Sequence, residues 1–209
     1  MKWTKVKGNI ESLICDKLKH RLSIHLTQYN VSLGEQKRIW ITLNKKEVFN
    51  ASSANYLMEH DKLWAEIRKK TEKPFPDCLY ECFPQFIGKT NDSDYTAVIL
   101  EDKGIFNVDL VYDAFIEYPQ LSIDNALNSE SVIIKAFALL DKRLGKRKLK
   151  NLRYSSSVHP LILAFYKLRC EVEGIMTFED IPNYQKRLFS EPFLVLVIWI
   201  MVTRNEYSI

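Results

Sequence analysis

A chain of 209 residues with 46% hydrophobic and 27% charged side chains can fill one large core or two small ones, which argues against a disordered polymer. Its formal net charge of +4 is too small to argue for a nucleic-acid binder by itself. Glycine and proline are sparse, at 6 and 7, and no low-complexity linker or fixed-period repeat interrupts the pattern.

The opening segment MKWTKVKGNIESL lacks the uninterrupted apolar run of a signal peptide, so a cytoplasmic protein is expected. In that compartment Cys15, Cys78, Cys82 and Cys170 are expected as thiols rather than disulfides. Ile10, Leu13, Ile14 and Leu18 fall at helical spacing and predict a first helix over ESLICDKL. From Arg21 to Tyr29 the period changes to two, with Leu22, Ile24 and Leu26 on one face and Ser23, His25 and Thr27 on the other. Residues 30–36 read as a loop with Gly34. Arg38 to Leu43 alternates again, and Asn44, Lys45 and Lys46 make a second turn before VFNA. The expectation is an antiparallel meander of about three strands, one face buried, packed by the first helix.

Ser52 or Ser53 caps a helix to about Thr71, with an apolar stripe of Tyr56, Leu57, His60, Leu63, Trp64 and Ile67. Pro74, Pro76 and Pro84 then mark a candidate boundary, dividing an α+β unit over 1–75 from a mainly helical one over 76–209, or a bend within one continuous domain. Beyond it, Asp92 or Ser93 precedes a helix over YTAVILEDK that stops at Gly104, with a β-strand over TAVIL as the rival. Asp109 opens a helix stopped by Pro119, and Ser122 opens a short one to Leu127. Ser129 caps a helix through VIIKAFALLDKRL. Ser157 or His159 caps another, with Pro160 in its first turn and Gly174 at its end. Residues 193–202 are apolar without a break, about half the roughly twenty residues that a membrane span needs. A buried strand or helix is the expectation there, and no membrane is expected as a partner.

Charge is distributed unevenly. Residues 141–153 carry Lys142, Arg143, Lys146, Arg147, Lys148, Lys150 and Arg153 against Asp141 alone, while residues 89–130 carry nine acids against Lys89 and Lys103. A basic run of this kind can grip phosphates by neutralising their charge, but nucleic-acid binders often add base-reading groups, and here only Tyr154 and three serines follow. Its bland reading is internal pairing. Asp109, Asp113 and Glu117 recur every four residues on one helix face, and Lys142, Lys146 and Lys150 have the same spacing if their helix continues through Gly145. The cations left for a partner would come from Arg143, Lys146, Arg147 and Lys148, chiefly Arg147 and Lys148.

The chemistry-bearing residues form no recognisable catalytic set. The triple-acid stripe lacks the additional fixed oxygens that a divalent cation takes, and Cys78 and Cys82 form a C-x3-C with no second pair to complete a zinc site. His159 and Cys170 on one helix stand roughly 16 Å apart, too far for a base and its nucleophile. Glu171 and Glu173 point to different faces, and no glycine-rich phosphate loop, G-x-S-x-G or H-E-x-x-H occurs. No metal, cofactor or catalytic residue is therefore expected.

Three segments, MKWTKVKGNIESLICDKL, SESVIIKAFALLDKRLGKRKL and HPLILAFYKLRCEVEGI, together resemble a family of uncharacterised bacterial proteins first catalogued from an enteric-pathogen open reading frame. The resemblance spans roughly residues 1–175, and LDKRLGKRKL at 140–149 is its most specific part. It implies no activity, cofactor or catalytic residue. The expected function is a non-enzymatic protein-interaction module, immunity- or adaptor-like, with an unknown protein partner. The alternative is nucleic-acid or other polyanion binding through 142–153.

Overall fold

The computed structural model describes residues 2–31, 34–70, 77–82, 95–152, 154 and 157–175. Helix α1 (Trp3–Leu13) and a short α2 (Asp16–Lys19) precede three strands, β1 (Leu22–Val31), β2 (Gly34–Leu43) and β3 (Lys46–Ser52). Helices α3 (Ser53–Lys70), α4 (Asp77–Cys82), α5 (Tyr95–Asp102) and α6 (Val108–Glu117) follow. Beyond a 3-10 turn at Tyr118–Gln120 come α7 (Ile123–Leu127), α8 (Val132–Leu140), α9 (Lys146–Asn151) and α10 (Pro160–Glu173). An N-terminal antiparallel sheet with its helices, then a mostly helical remainder, is the α+β arrangement that the periodicity predicts.

The sheet order is β1-β2-β3, antiparallel throughout. Leu22, Ile24, Ile39, Ile41, Phe49 and Ala51 are buried on one face. On the other, His25 stacks on Trp40 across the β1–β2 pair, with ring centroids 4.9 Å apart. Asn44 and Lys45 both take positive φ, the geometry that a tight hairpin turn requires. The strands are longer than expected: β1 runs to Val31 and β2 begins at Gly34, so most of the predicted loop is ladder.

Helix starts follow their local chemistry. The Ser122 hydroxyl accepts from Asn125 N–H, and Ser52 accepts from Asn55 N–H ahead of α3. TAVIL is helical, so the strand alternative is overturned. Helix α6 starts at Val108, one residue before the predicted Asp109, because the Asn107 side chain caps it. Helix α8 is capped by Ser131, not Ser129, whose hydroxyl instead accepts from Ser131 N–H. Gly104 and Gly174 end α5 and α10 with φ of +77° and +67°, where a side chain would be strained. Leu57, predicted on the apolar stripe of α3, is exposed, while Tyr56, Leu63 and Ile67 are buried.

Two corrections bear on the site. Helix α1 starts earlier than expected and stops at Leu13, where Ile14 turns extended and bridges Asp141. Helix α8 stops at Leu140 instead of running through Leu144. Cys15 N–H donates to Leu140 O at 2.9 Å and Lys142 N–H to Leu13 O at 2.7 Å. Backbone pairing from the other end of the chain thus ends both helices. Gly145 then becomes the N-cap of α9, so Lys142, Lys146 and Lys150 do not share one helix.

One hydrophobic cluster joins Val6 and Ile10 of α1, the inner sheet face, and Val111, Phe115, Phe137 and Phe165 of α6, α8 and α10. Phe137 meets Phe115 and Phe165 edge to face, at 4.8 and 5.8 Å. A smaller cluster packs Tyr56, Leu63 and Ile67 of α3 on Ile99 and Leu100 of α5. The tail 193–202 and the proline-rich segment lie outside the described residues, apart from α4.

Candidate functional site

The bend between α8 and α9 carries the most basic part of the sequence, and the fold pairs three of its six described cations with acids of the chain. Asp141 is 1% exposed. Its carboxylate receives Arg143 N–H at 2.7 Å, Arg143 Nε at 2.9 Å and Nη2 at 2.7 Å, and the Tyr118 hydroxyl in a short contact. Arg143 Nη1 also donates to Leu121 O at 2.8 Å, and its guanidinium lies over the Tyr118 ring. Burial first, and then the neighbouring carboxylate, push the Tyr118 phenol well above its ordinary range. The hydrogen bond to Asp141 raises Arg143 further.

A second, partly buried carboxylate organises the other side of the bend. Glu173, at the end of α10, meets Lys17 at 3.2 Å, Lys146 at 3.4 Å and Arg169 at 3.4 Å. Arg169 is 3% exposed and also donates to Leu140 O and Leu144 O, at 3.3 and 3.1 Å. Burial raises the Glu173 carboxyl, but Lys17, Arg169 and Lys146 overcome it and hold the group below the ordinary glutamate range. Lys148 pairs with Asp124. Of the four candidate contact residues, Arg143, Lys146 and Lys148 therefore have acidic partners within the fold. Arg147 is exposed and makes no ion pair among the described residues, and the same holds for Lys142 and Lys150. Arg153 lies outside the described residues.

The acids expected to cover this run are elsewhere. Asp109 pairs with Lys37 of β2 at 3.1 Å. Asp113 and Glu117 are exposed and make no ion pair among the described residues. Together with Glu101 and Glu130 they rim a cleft of about 290 Å³ between α5, α6 and the start of α8. Its floor is apolar, with Phe106, Val111, Ala114, Ile133 and Ile134, and Leu110 stands at its margin 52% exposed. Glu101 is half-buried. Desolvation raises its carboxyl above the usual range, opposed by nearby His159 and by a hydrogen bond from Val132 N–H. The sequence offered little sign of Glu101, which reads as the polar end of a helix.

His159 is a structural cap. Its Nδ1 accepts from Leu161 N–H at 3.1 Å and its Nε2 faces Glu101 O at 2.7 Å, so Nε2 carries the proton. His159 and Cys170 stand at opposite ends of α10, as predicted, and do not meet. His60 lies half-buried between Tyr56 and Trp64, and His25 bonds Thr42 on the outer sheet face. What the cleft can do chemically is offer carboxylates around an apolar floor: it can take an apolar side chain and surround it with negative charge.

No curated protein and no solved structure matches the chain. A family model matches residues 2–170, most of the chain, and the chain therefore belongs to the SF0329 protein family.

Proposed function

We propose that this chain is a non-enzymatic, cytoplasmic protein-interaction module, immunity- or adaptor-like in kind, that receives a basic segment of another protein in the cleft between α5, α6 and α8. The observation that carries the reading is the cleft itself. It is concave and apolar at its floor, and its rim has a single sign of charge, with Asp113, Glu117 and Glu130 unpaired among the described residues. Lysine or arginine side chains on an apolar stem match both features, because the stem buries while the charged end meets carboxylates. Lysate from the native host passed over immobilised chain tests this. The wild type should retain a protein that elutes with salt, and the pair Asp113→Lys, Glu117→Lys should lose it. Equal retention by both chains would defeat the reading.

A second reading, polyanion binding through 142–153, keeps one observation in its favour: Lys142, Arg147 and Lys150 are exposed and lack ion pairs among the described residues. It predicts filter binding of single- or double-stranded DNA that weakens steeply with salt and falls in Arg147→Ala. No retention even at low salt would end it.

A further inference from the structure

A second groove, of about 530 Å³, runs between β3 and the first half of α10. The strand contributes Glu47, Val48, Phe49 and Asn50, and the helix contributes Leu161 and Ala164. Successive strand residues point to opposite faces of a sheet. A register shift at Val48 interrupts that alternation, but Phe49 and Asn50 beyond it point to opposite faces, and a groove that touches both runs along the strand's edge.

β3 is an edge strand of the sheet. Among the described residues, no backbone hydrogen bond from outside the sheet reaches residues 46–52. Helices pack beside both edges, α1 and α2 beside β1 and α3 and α6 beside β3, but at β1 the Glu11 carboxylate also accepts from Ile24 N–H at 3.5 Å. Edge strands that proteins leave open present a row of donors and acceptors to an extended chain. A helix facing such an edge makes a slot in which an added strand is held by main-chain bonds and chosen by its side chains.

The slot also has a direction. Phe106, a buried ring packed against Phe49 and His159, lines both this groove and the acidic cleft, so the two lie on either side of it. A segment leaving β3 past Phe106 enters the field of Glu101, Asp113, Glu117 and Glu130. The geometry points to a single docking track for an extended segment of another protein: backbone paired to the outer edge of β3, an apolar side chain against Phe49, Phe106 and Leu161, and lysine or arginine residues following into the cleft. This rests on the interaction reading above and deepens it, adding the conformation of the bound segment and the strand that binds it.

A library of random twelve-residue peptides selected on the full chain tests the track. Enriched peptides should combine alternating apolar residues with adjacent lysine or arginine. Bound peptide should slow hydrogen exchange at amides 47–50. Ala164 is exposed, so Ala164→Trp fills the groove from the helix side without disturbing the core, and it should weaken binding at least tenfold while the melting temperature holds. Ala164→Glu, smaller but charged, should act in the same direction. If Asp113→Lys, Glu117→Lys leaves peptide affinity intact while Ala164→Trp removes it, the groove stands and the cleft reading fails. Three results would overturn the groove: no enrichment, enriched peptides that bind Ala164→Trp as tightly as wild type without protecting 47–50, or a doubled mass in light scattering that Ala164→Trp returns to a monomer. The last would assign the edge to a second copy of this chain.

Discussion

The basic bend at 141–150 and the acidic cleft are built from the two most charged blocks of the chain, and the fold uses them in opposite ways. At the bend, one buried and one partly buried carboxylate gather cations from four segments: Asp141 holds Arg143, while Glu173 holds Lys17, Lys146 and Arg169. At the cleft, carboxylates of α5, α6 and the turn before α8 surround an apolar floor, and among the described residues only Asp109, beyond its rim, is paired with a lysine. A dense run of one sign in sequence is therefore no measure of surface charge. The few opposite charges that the fold buries beside it decide how much is left.

That contrast can be broken by substitution, and the bend should be the more sensitive side. Asp141→Ala strands the Tyr118 hydroxyl and the Arg143 guanidinium and removes the acceptor for Arg143 N–H. A loss of about 3–5 kcal/mol in urea unfolding is expected, as for other broken buried pairs. Glu173→Gln leaves buried Arg169 without its counter-charge and should cost about 3 kcal/mol. The wild type carries the same dependence on pH. Because the folded Glu173 value is lowered, its contribution is complete above the ordinary glutamate pKa of about 4.3 and is lost as pH falls through the lower folded value. Unfolding followed from pH 7 down to pH 3 should show this slope in wild type and a shallower one in Glu173→Gln.

The cleft should respond in the other direction or hardly at all. Glu101 has a raised value, so its ionised form is disfavoured in the fold and the penalty grows as pH rises through the ordinary glutamate range. Glu101→Gln should therefore match or exceed wild-type stability at pH 7, by under about 1 kcal/mol given solvent screening of a half-exposed group. The difference should vanish in acid. Asp113→Lys with Glu117→Lys should change unfolding by less than about 0.5 kcal/mol per site, as for exposed positions generally, while abolishing partner capture. Arg147→Ala should be the mildest, within about 0.5 kcal/mol and with partner capture intact.

The sheet was legible because Leu22 and Ile24 alternate with polar residues, Ile39 and Ile41 keep the same two-residue spacing around Trp40, and one face is buried. Ser122, His159, Gly104 and Gly174 marked helix ends because capping is local chemistry that the sequence carries beside the helix. The end of α8 was not legible. LLDKRL continues a helical pattern, and what stops it is pairing with Leu13 and Cys15, more than a hundred residues earlier in the chain. The same distance hid the ion pairs. Arg169 and Glu173 stand four apart, a visible signal, but the lysines that join them come from α2 and α9. The cleft was half legible: Asp113 and Glu117 were singled out as one stripe, while Glu101 and Glu130 reach it only through the packing of α5 and α8 against α6.

The most direct test of this division of labour is chemical unfolding of the fourfold variant Arg143→Ala, Lys146→Ala, Arg147→Ala, Lys148→Ala. If the bend is internal scaffold, the variant loses at least about 2 kcal/mol, most of it from the Arg143 contact with buried Asp141. A variant as stable as wild type would contradict the account, because four side chains of a pure docking patch can be removed without touching the fold.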